Sequence, residues 1–376
     1  MSDRFETEEL RLPVPWGFIA AKAWGSPQNS PVLVVHGMMD NAGSFNRLIP
    51  LLPKRFYYVC IDLPGHGLSS HFQADINTME SEMKTEEIRF KVPWGHVAAK
   101  AWGSPKNSPV LVVHGLMDNA GSFSRLISLL PKQFYYVCID LPGHGYSSHF
   151  PSGVPLNFFD YVLCIRFVLQ ELNWKSCVCI AHSIGAMIIY FYTYIYPGII
   201  KKLVSIDTAV PRPYDGDLLK SRVIEEHNSA LDHLNNEENK VFSREEIIYV
   251  LQAKRKHYMK KEAAEAMFER TVTKVDGGYK YNRDQRLRII PRPLFNDKQC
   301  VEYLKKETVP TLFIVPSTLS QFLSEEGLRE KSLEVVKTKK MIEFVVVEGN
   351  HDIHTNHPER IAPLIERFFE NVTSKL

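Results

Sequence analysis

Residues 30–45, SPVLVVHGMMDNAGSF, return at 108–123 as SPVLVVHGLMDNAGSF, and this self-similarity constrains the fold more than any other feature. The match starts at TEELR (Thr7) and TEEIR (Thr85). It is near-identical from Val14 and Val92, 78 positions apart, and it ends at Phe72 and Phe150. A solenoid needs at least three or so stacked units to bury a continuous core. Two copies followed by unrelated sequence exclude one. A sheet has one place for a given strand, so only one copy can occupy it. The pattern reads as a tandem duplication of one segment, or as an error in assembling the gene, with residues 1–78 as the extra copy.

Each copy holds a short extended run, an apolar strand (PVLVVHG), a helical stretch (SFSRLISLL in the second copy) and another strand (FYYVCID). Strand–helix–strand order signals a parallel sheet with crossover helices. The single-copy remainder continues it with the helix FFDYVLCIRFVLQEL, the strand CVCIA, a helix over 183–196 and the strand KKLVSID. A charged, helically periodic segment follows, in which Ser243 to Glu246 (SREE) predicts a capping box. Alternation resumes with VPTLFIVP, the helix SEEGLREKSLEVVK, the strand MIEFVVVEG and the amphipathic PERIAPLIERFFENV. The expected architecture is α/β: a first core part over 79–208, a helical insertion over 209–308 and a second core part over 309–376. The second copy runs straight into the later strands, so it is expected to fill the sheet. The first copy is expected to pack outside or to pair with a sheet edge.

Lysine plus arginine (45) nearly balances aspartate plus glutamate (43), so no electrostatic footprint for nucleic acid stands out. The basic run AKRKHYMKK (253–261) reads as the solvated face of a helix. Six cysteines in 376 residues do not make a disulfide framework, and they read as reduced thiols in or near the core. MSDRFETEEL lacks the apolar stretch of a signal peptide, and AMIIYFYTYIYPGII is too short to span a bilayer. The C-terminal Ser374-Lys375-Leu376 has the form of a peroxisomal address read by an import receptor. Peroxisomal import is therefore expected, with the cytoplasm as the alternative.

The chemistry-bearing residues come in a telling order. CIAHSIGA places Ser183 between a buried strand and a helix as A-x-S-x-G, one residue from the G-x-S-x-G nucleophile elbow. A sharp strand-to-helix turn needs small residues two before and two after the serine, here Ala181 and Gly185. The helix that follows aims the Ile184 N–H at charge developing on a reacting oxygen, and the loop after His114-Gly115 offers the Leu116 N–H as a second donor. Gly115 and His182 flank these groups and are expected to line the substrate. The D-x-P-G-H-G-x-S turn from Asp140 to Ser147 fixes the chain path beside the site. His351, just past a strand in VVVEGNHDIH, is the expected general base; His354 and His357 lie further along. There is no H-E-x-x-H spacing and no Gly-rich phosphate loop after a strand, so neither a metal nor an organic cofactor is expected.

These features resemble the α/β-hydrolase family, and within it the serine hydrolase-like group, whose members carry a comparable H-G-x-x-D-N-A-G-x-F segment. The likeness covers residues 85–376 once. It implies an α/β-hydrolase fold, a Ser–acid–His triad and a helical cap serving as a lid. The family usually takes its acid after the penultimate strand, but Pro316, Ser317, Thr318 and Leu319 hold no carboxylate. Some members take it from the strand before the cap, which here makes Asp207 the expected acid. The implied activity is hydrolysis of a small-molecule ester or related acyl substrate. A catalytically impaired binding protein of the same fold is the alternative, motivated by the displaced acid and the duplicated segment.

Overall fold

The computed structural model of the chain describes residues 6–14, 17–37, 40–70, 83–207, 216–235, 240–255, 258–306, 309–318, 335 and 338–370. It divides into two compact units, residues 1–81 and 82–376.

The first unit is a four-stranded sheet made by copy one. Strands β1 (Thr7–Val14), β2 (Gly17–Trp24), β3 (Ser30–Val35) and β4 (Phe56–Ile61) are ordered β1-β2-β4-β3, with only β3 and β4 parallel. A small core of Trp24, Ala42, Ile49, Tyr58 and Cys60 supports it. Among the described residues, these strands pair only with one another.

The second unit contains an eight-stranded sheet. Its strands are β5 (Thr85–Val92), β6 (Gly95–Trp102), β7 (Ser108–Val113), β8 (Phe134–Ile139), β9 (Cys177–His182), β10 (Ile200–Ile206), β13 (Thr311–Pro316) and β14 (Ile342–Val347). The order is β14-β13-β10-β9-β7-β8-β6-β5. Copy two supplies β5 to β8, and the pairings from β8 through β14 are all parallel. β7, β8, β9 and β13 are unbroken apolar runs because helices cover both faces of a parallel sheet. The crossover helices α2 (Phe158–Leu172) and α3 (Ile184–Ile195) bury Ile165, Val168, Ile188 and Phe191 against one face. Phe123, Leu126, Ile365 and Phe369 fill the other.

Three details differ from the sequence-based expectation. SFSRLISLL makes only a 3₁₀ turn over Ala120–Phe123 and one helical turn, α1 (Ser124–Ile127). Pro131 follows closely, and the residue before a proline is pushed out of the helical region. Of the two outcomes expected for copy one, pairing with an edge of the larger sheet is not seen among the described residues, where copy one forms a sheet of its own. The insertion is not wholly helical: after α4 (Gly216–Asn235), α5 (Arg244–Ala253) and α6 (Lys261–Thr271) comes a hairpin of β11 (Val272–Val275) and β12 (Gly278–Tyr281), and then α7 (Asp297–Lys305). Asp276-Gly277 turns that hairpin, with Gly277 at φ +81°. The capping box forms at Ser243 and Glu246. The expected helix SEEGLREKSLEVVK and the tail Ser374–Leu376 lie outside the described residues, apart from Val335. Among the described residues, no helix is long and apolar enough to cross a membrane.

The repeat allows a like-for-like test. Leu33 is 65% exposed and its counterpart Leu111 is fully buried, although their neighbours in sequence are the same. Leu111→Ala is predicted to destabilise the chain by about 2–5 kcal/mol. Leu33→Ala should change stability by no more than about 0.5 kcal/mol, read from urea unfolding.

Candidate active site

The C-terminal ends of the parallel strands carry the site, as expected for an open α/β sheet. β9 ends at His182, and Ser183 turns the chain into α3 with φ +52° and ψ −125°. A non-glycine residue there is strained by about 1–3 kcal/mol and is held only by its surroundings. The holding contacts are explicit. The Ser183 N–H donates to the Ile206 carbonyl at 2.9 Å. A Cβ at Gly185 would lie 2.5 Å from the His114 carbonyl oxygen and 2.7 Å from that of Val113, so this position admits only glycine. The close approach brings the end of β7 beside the elbow.

The loop after β7 is built by two buried imidazoles. His114 Nδ1–H donates to the Gly115 carbonyl at 2.7 Å, leaving Nε2 to accept from the Leu141 N–H at 3.0 Å. His144 Nε2 accepts from the Met117 N–H at 3.2 Å. Burial lowers the pKa of both, that of His144 to about 3, so both are neutral and able to accept. Asp140 Oδ1 accepts from the Ala120 N–H at 2.8 Å, which ties the D-x-P-G-H-G turn to the same loop. Leu116 is partly exposed at the loop's tip.

His351 and Asp207 are brought together. Asp207 directly follows β10 at φ +67°, is nearly fully buried, and its Oδ2 accepts from His351 Nδ1. That bond fixes the tautomer and leaves His351 Nε2 as the basic nitrogen. Burial opposes charge on His351, but the hydrogen bond and charge of Asp207 outweigh it and hold its pKa above the usual histidine value. Where the family usually has its acid, Ser317 Oγ accepts from the Gly349 N–H at 3.2 Å and the Thr318 N–H donates to the Gly349 carbonyl at 3.3 Å. That strand end therefore anchors the loop carrying His351.

His182 and Gly115 were expected to line the substrate, and the structure gives them another place. His182 is fully buried, and its Nε2–H donates to the His351 carbonyl at 2.9 Å. Gly115 is buried against it; a Cβ there would meet His182 Nδ1 at 2.6 Å. Both support the loops.

Sequence reasoning missed Asp118, Asp352 and Arg255. Arg255 follows α5 within the run read as a solvated helix face, yet its side chain is only 17% exposed. Its Nη2 donates to Asp118 Oδ1 and Asp352 Oδ1, both at 2.8 Å, so the insertion is clamped to the loop after β7 and to the segment carrying His351 at once. Burial alone would raise the Asp118 pKa, but the Arg255 charge outweighs it and holds the carboxylate well below its usual range. The Asn350 and Asn356 side-chain amides both donate to the Tyr258 carbonyl, at 3.1 and 3.0 Å, which extends the clamp. Contacts across more than 90 residues leave no spacing motif, so only the fold reveals them.

Strand order, elbow and His–Asp pair define an α/β-hydrolase. A sequence profile for the alpha/beta hydrolase fold matches residues 30–88 and 108–233. Serine hydrolase-like protein 2 of Homo sapiens is 34% identical over 302 residues, covering 76% of this chain and 94% of the human protein. The crystal structure of a hypothetical protein from Pseudomonas aeruginosa PAO1 is similar with TM-score 0.67 and 26% identity, over 77% of this chain and 100% of that one. The thioesterase domain from the curacin biosynthetic pathway shares the fold, with TM-score 0.61 and 22% identity over 75% of this chain and 99% of that one. The chain belongs to the α/β-hydrolase family, in its serine hydrolase-like group.

Arg255→Met should leave two buried carboxylates uncompensated and cost about 3 kcal/mol at neutral pH. In the wild type the depressed Asp118 pKa contributes stability above the unfolded value near about 3.9, and that contribution is lost as pH falls through the folded value. Without Arg255 the Asp118 pKa rises from its depressed value, so the deficit is predicted to shrink as pH is lowered towards that range. Urea midpoints of both proteins across pH check this.

Proposed function

We propose that this chain is a serine hydrolase that cleaves a carboxylic ester, or a related acyl bond, through Ser183, His351 and Asp207. The observation that carries the reading is the His351 Nδ1–H bond to Asp207 on the same end of the sheet as the strained Ser183 elbow. Ser183 Oγ attacks the acyl carbon while its proton passes to His351 Nε2. The carbonyl electrons move onto oxygen, held by the N–H groups of Leu116 and Ile184. The tetrahedral intermediate collapses and the leaving alkoxide takes the proton from His351. Water then attacks the acyl-enzyme, with His351 again as base, and the acid departs from a regenerated Ser183. Asp207 keeps the tautomer and stabilises the imidazolium. The helical insertion acts as the lid. The Asp207 carboxylate on His351 favours this reading over an impaired binding protein on the point of the acid, which Ser317 and Thr318 lack. A serine–imidazole contact is commonly loose without substrate and tightens in the complex.

A fluorophosphonate probe should label the folded chain and fail on Ser183→Ala; an unlabelled wild type would sink the proposal. His351 must be neutral to act as base, so the rate is expected to fall as pH drops through its raised pKa, above the ordinary value of about 6.5. Asp207→Asn should lower kcat by about 10⁴-fold and move that acid limb to lower pH.

We also propose that Ser374-Lys375-Leu376 directs the chain to peroxisomes through an import receptor. A fluorescent protein fused to the N-terminus should give peroxisomal puncta that disperse when Leu376 is deleted. Diffuse fluorescence from the intact fusion would overturn this.

A further inference from the structure

Beneath the candidate active site, Asp118, His182 and His354 meet in a fully enclosed cluster. Each offers a donor atom within 4.8 Å of the other two. Asp118 comes from the loop after β7, His182 from the end of β9 and His354 from the short helix Ile353–Asn356. His182 and His354 are fully buried and Asp118 is nearly so. Four of their polar atoms have no hydrogen-bond partner: Asp118 Oδ2, His182 Nδ1, and both ring nitrogens of His354. Asp118 Oδ2 and His182 Nδ1 at least face each other, but an imidazole buried with neither ring nitrogen partnered is costly, so His354 calls for a ligand that meets it.

The tautomer of His182 narrows the ligand. Its Nε2–H is committed to the His351 carbonyl, so Nδ1 is free to present a lone pair to the cluster. Asp118 Oδ2 lies 3.4 Å from that nitrogen. A histidine donating its other N–H to a backbone carbonyl is the usual outer-shell arrangement of a metal ligand. Asp118 shows the matching arrangement, with its other oxygen, Oδ1, taking a hydrogen bond from Arg255 at 2.8 Å. In a tetrahedral zinc site with bonds of about 2.0–2.1 Å, neighbouring ligand atoms stand about 3.4 Å apart, which is the Asp118–His182 separation. A proton on His182 would satisfy that pair and leave both nitrogens of His354 without partners, whereas a metal ion draws one of them in.

We propose that Asp118 Oδ2, His182 Nδ1 and one ring nitrogen of His354 form a binding site for a divalent transition metal of the zinc class. Two imidazoles and one carboxylate suit such an ion, and a water would complete its tetrahedral shell. The site is separate from the Ser183–His351–Asp207 group and does not depend on that group's catalytic role. It touches the group through His182, whose other nitrogen holds the carbonyl of His351 and whose ring packs on the His351 ring with centroids 4.6 Å apart.

The test is zinc titration of the chelator-treated full chain by competition with a chromophoric chelator, with circular dichroism to confirm folding of each variant. One zinc per chain is expected for the wild type and for His357→Gln, a nearby histidine outside the cluster. His354→Gln and Asp118→Asn should weaken binding at least about 10-fold. Cobalt(II) added to the wild type should give the intense visible absorption of a tetrahedral site, a readout that needs no variant to fold. No stoichiometric zinc, binding unchanged in both variants, or no tetrahedral cobalt spectrum would each overturn the proposal and leave a buried water as the occupant. Fluorophosphonate labelling of Ser183 is independent of all three results, so the metal site and the hydrolase reading can fail separately.

Discussion

β7 pairs in parallel with β9 from Val110 opposite Val178 to Val113 opposite Ala181, and most of the site follows from that pairing. It buries an apolar strand on both edges and sets the His114 and Val113 carbonyls against Gly185. It also places the loop after His114 beside the elbow that β9 feeds. In copy one the same letters stop at β3, the last strand of its sheet, where Leu33 and Val35 stay exposed. The internal register of the two copies is identical, Ser30 opposite Phe56 and Ser108 opposite Phe134. What separates them is a partner on the far edge. His36 and Gly37 follow β3 without a β9 to pair with, whereas His114 and Gly115 serve Ser183.

Besides apolar contacts, the insertion is joined to the core through three arginines. Arg270 at the end of α6 donates to Asp140 and Glu87, while Arg286 donates to Asp284 and to the carbonyls of Phe150, Pro151 and Val154. Arg255 joins Asp118 to Asp352. Buried ion pairs add little net stability, because desolvation offsets much of their attraction, but losing one partner is costly. Such pairs therefore fix where the insertion sits. Arg255 reaches the loop after β7 and the loop carrying His351, Arg270 reaches the D-x-P-G-H-G turn, and Arg286 reaches the segment that follows that turn.

Much of this was legible because the chemistry is local. The A-x-S-x-G elbow declares itself in five residues, since the sterics of one tight turn dictate small neighbours. His351 was singled out from its position just past a strand, and the structure sets it against Asp207. Asp207 was reached only through the family resemblance, because an aspartate at a strand end carries no signature of its own. His182 was misplaced: adjacency to Ser183 in the chain does not say that a side chain on the opposite face of the strand points inward to the His351 carbonyl. The hairpin in the insertion had a signal, Asp276-Gly277, that helical periodicity on either side masked.

By itself the sequence determined the parallel α/β pattern, the strained serine turn and the order of the catalytic candidates, because strand periodicity and turn sterics act over a few residues. It also determined that two copies compete for one place. Only the tertiary structure decided which copy is buried, where the histidine's carboxylate comes from, and that Arg255 lies between Asp118 and Asp352. Those outcomes depend on strands and loops far apart in the chain meeting across one sheet end, and their energies come from burial and charge pairing that exist only once the sheet has closed.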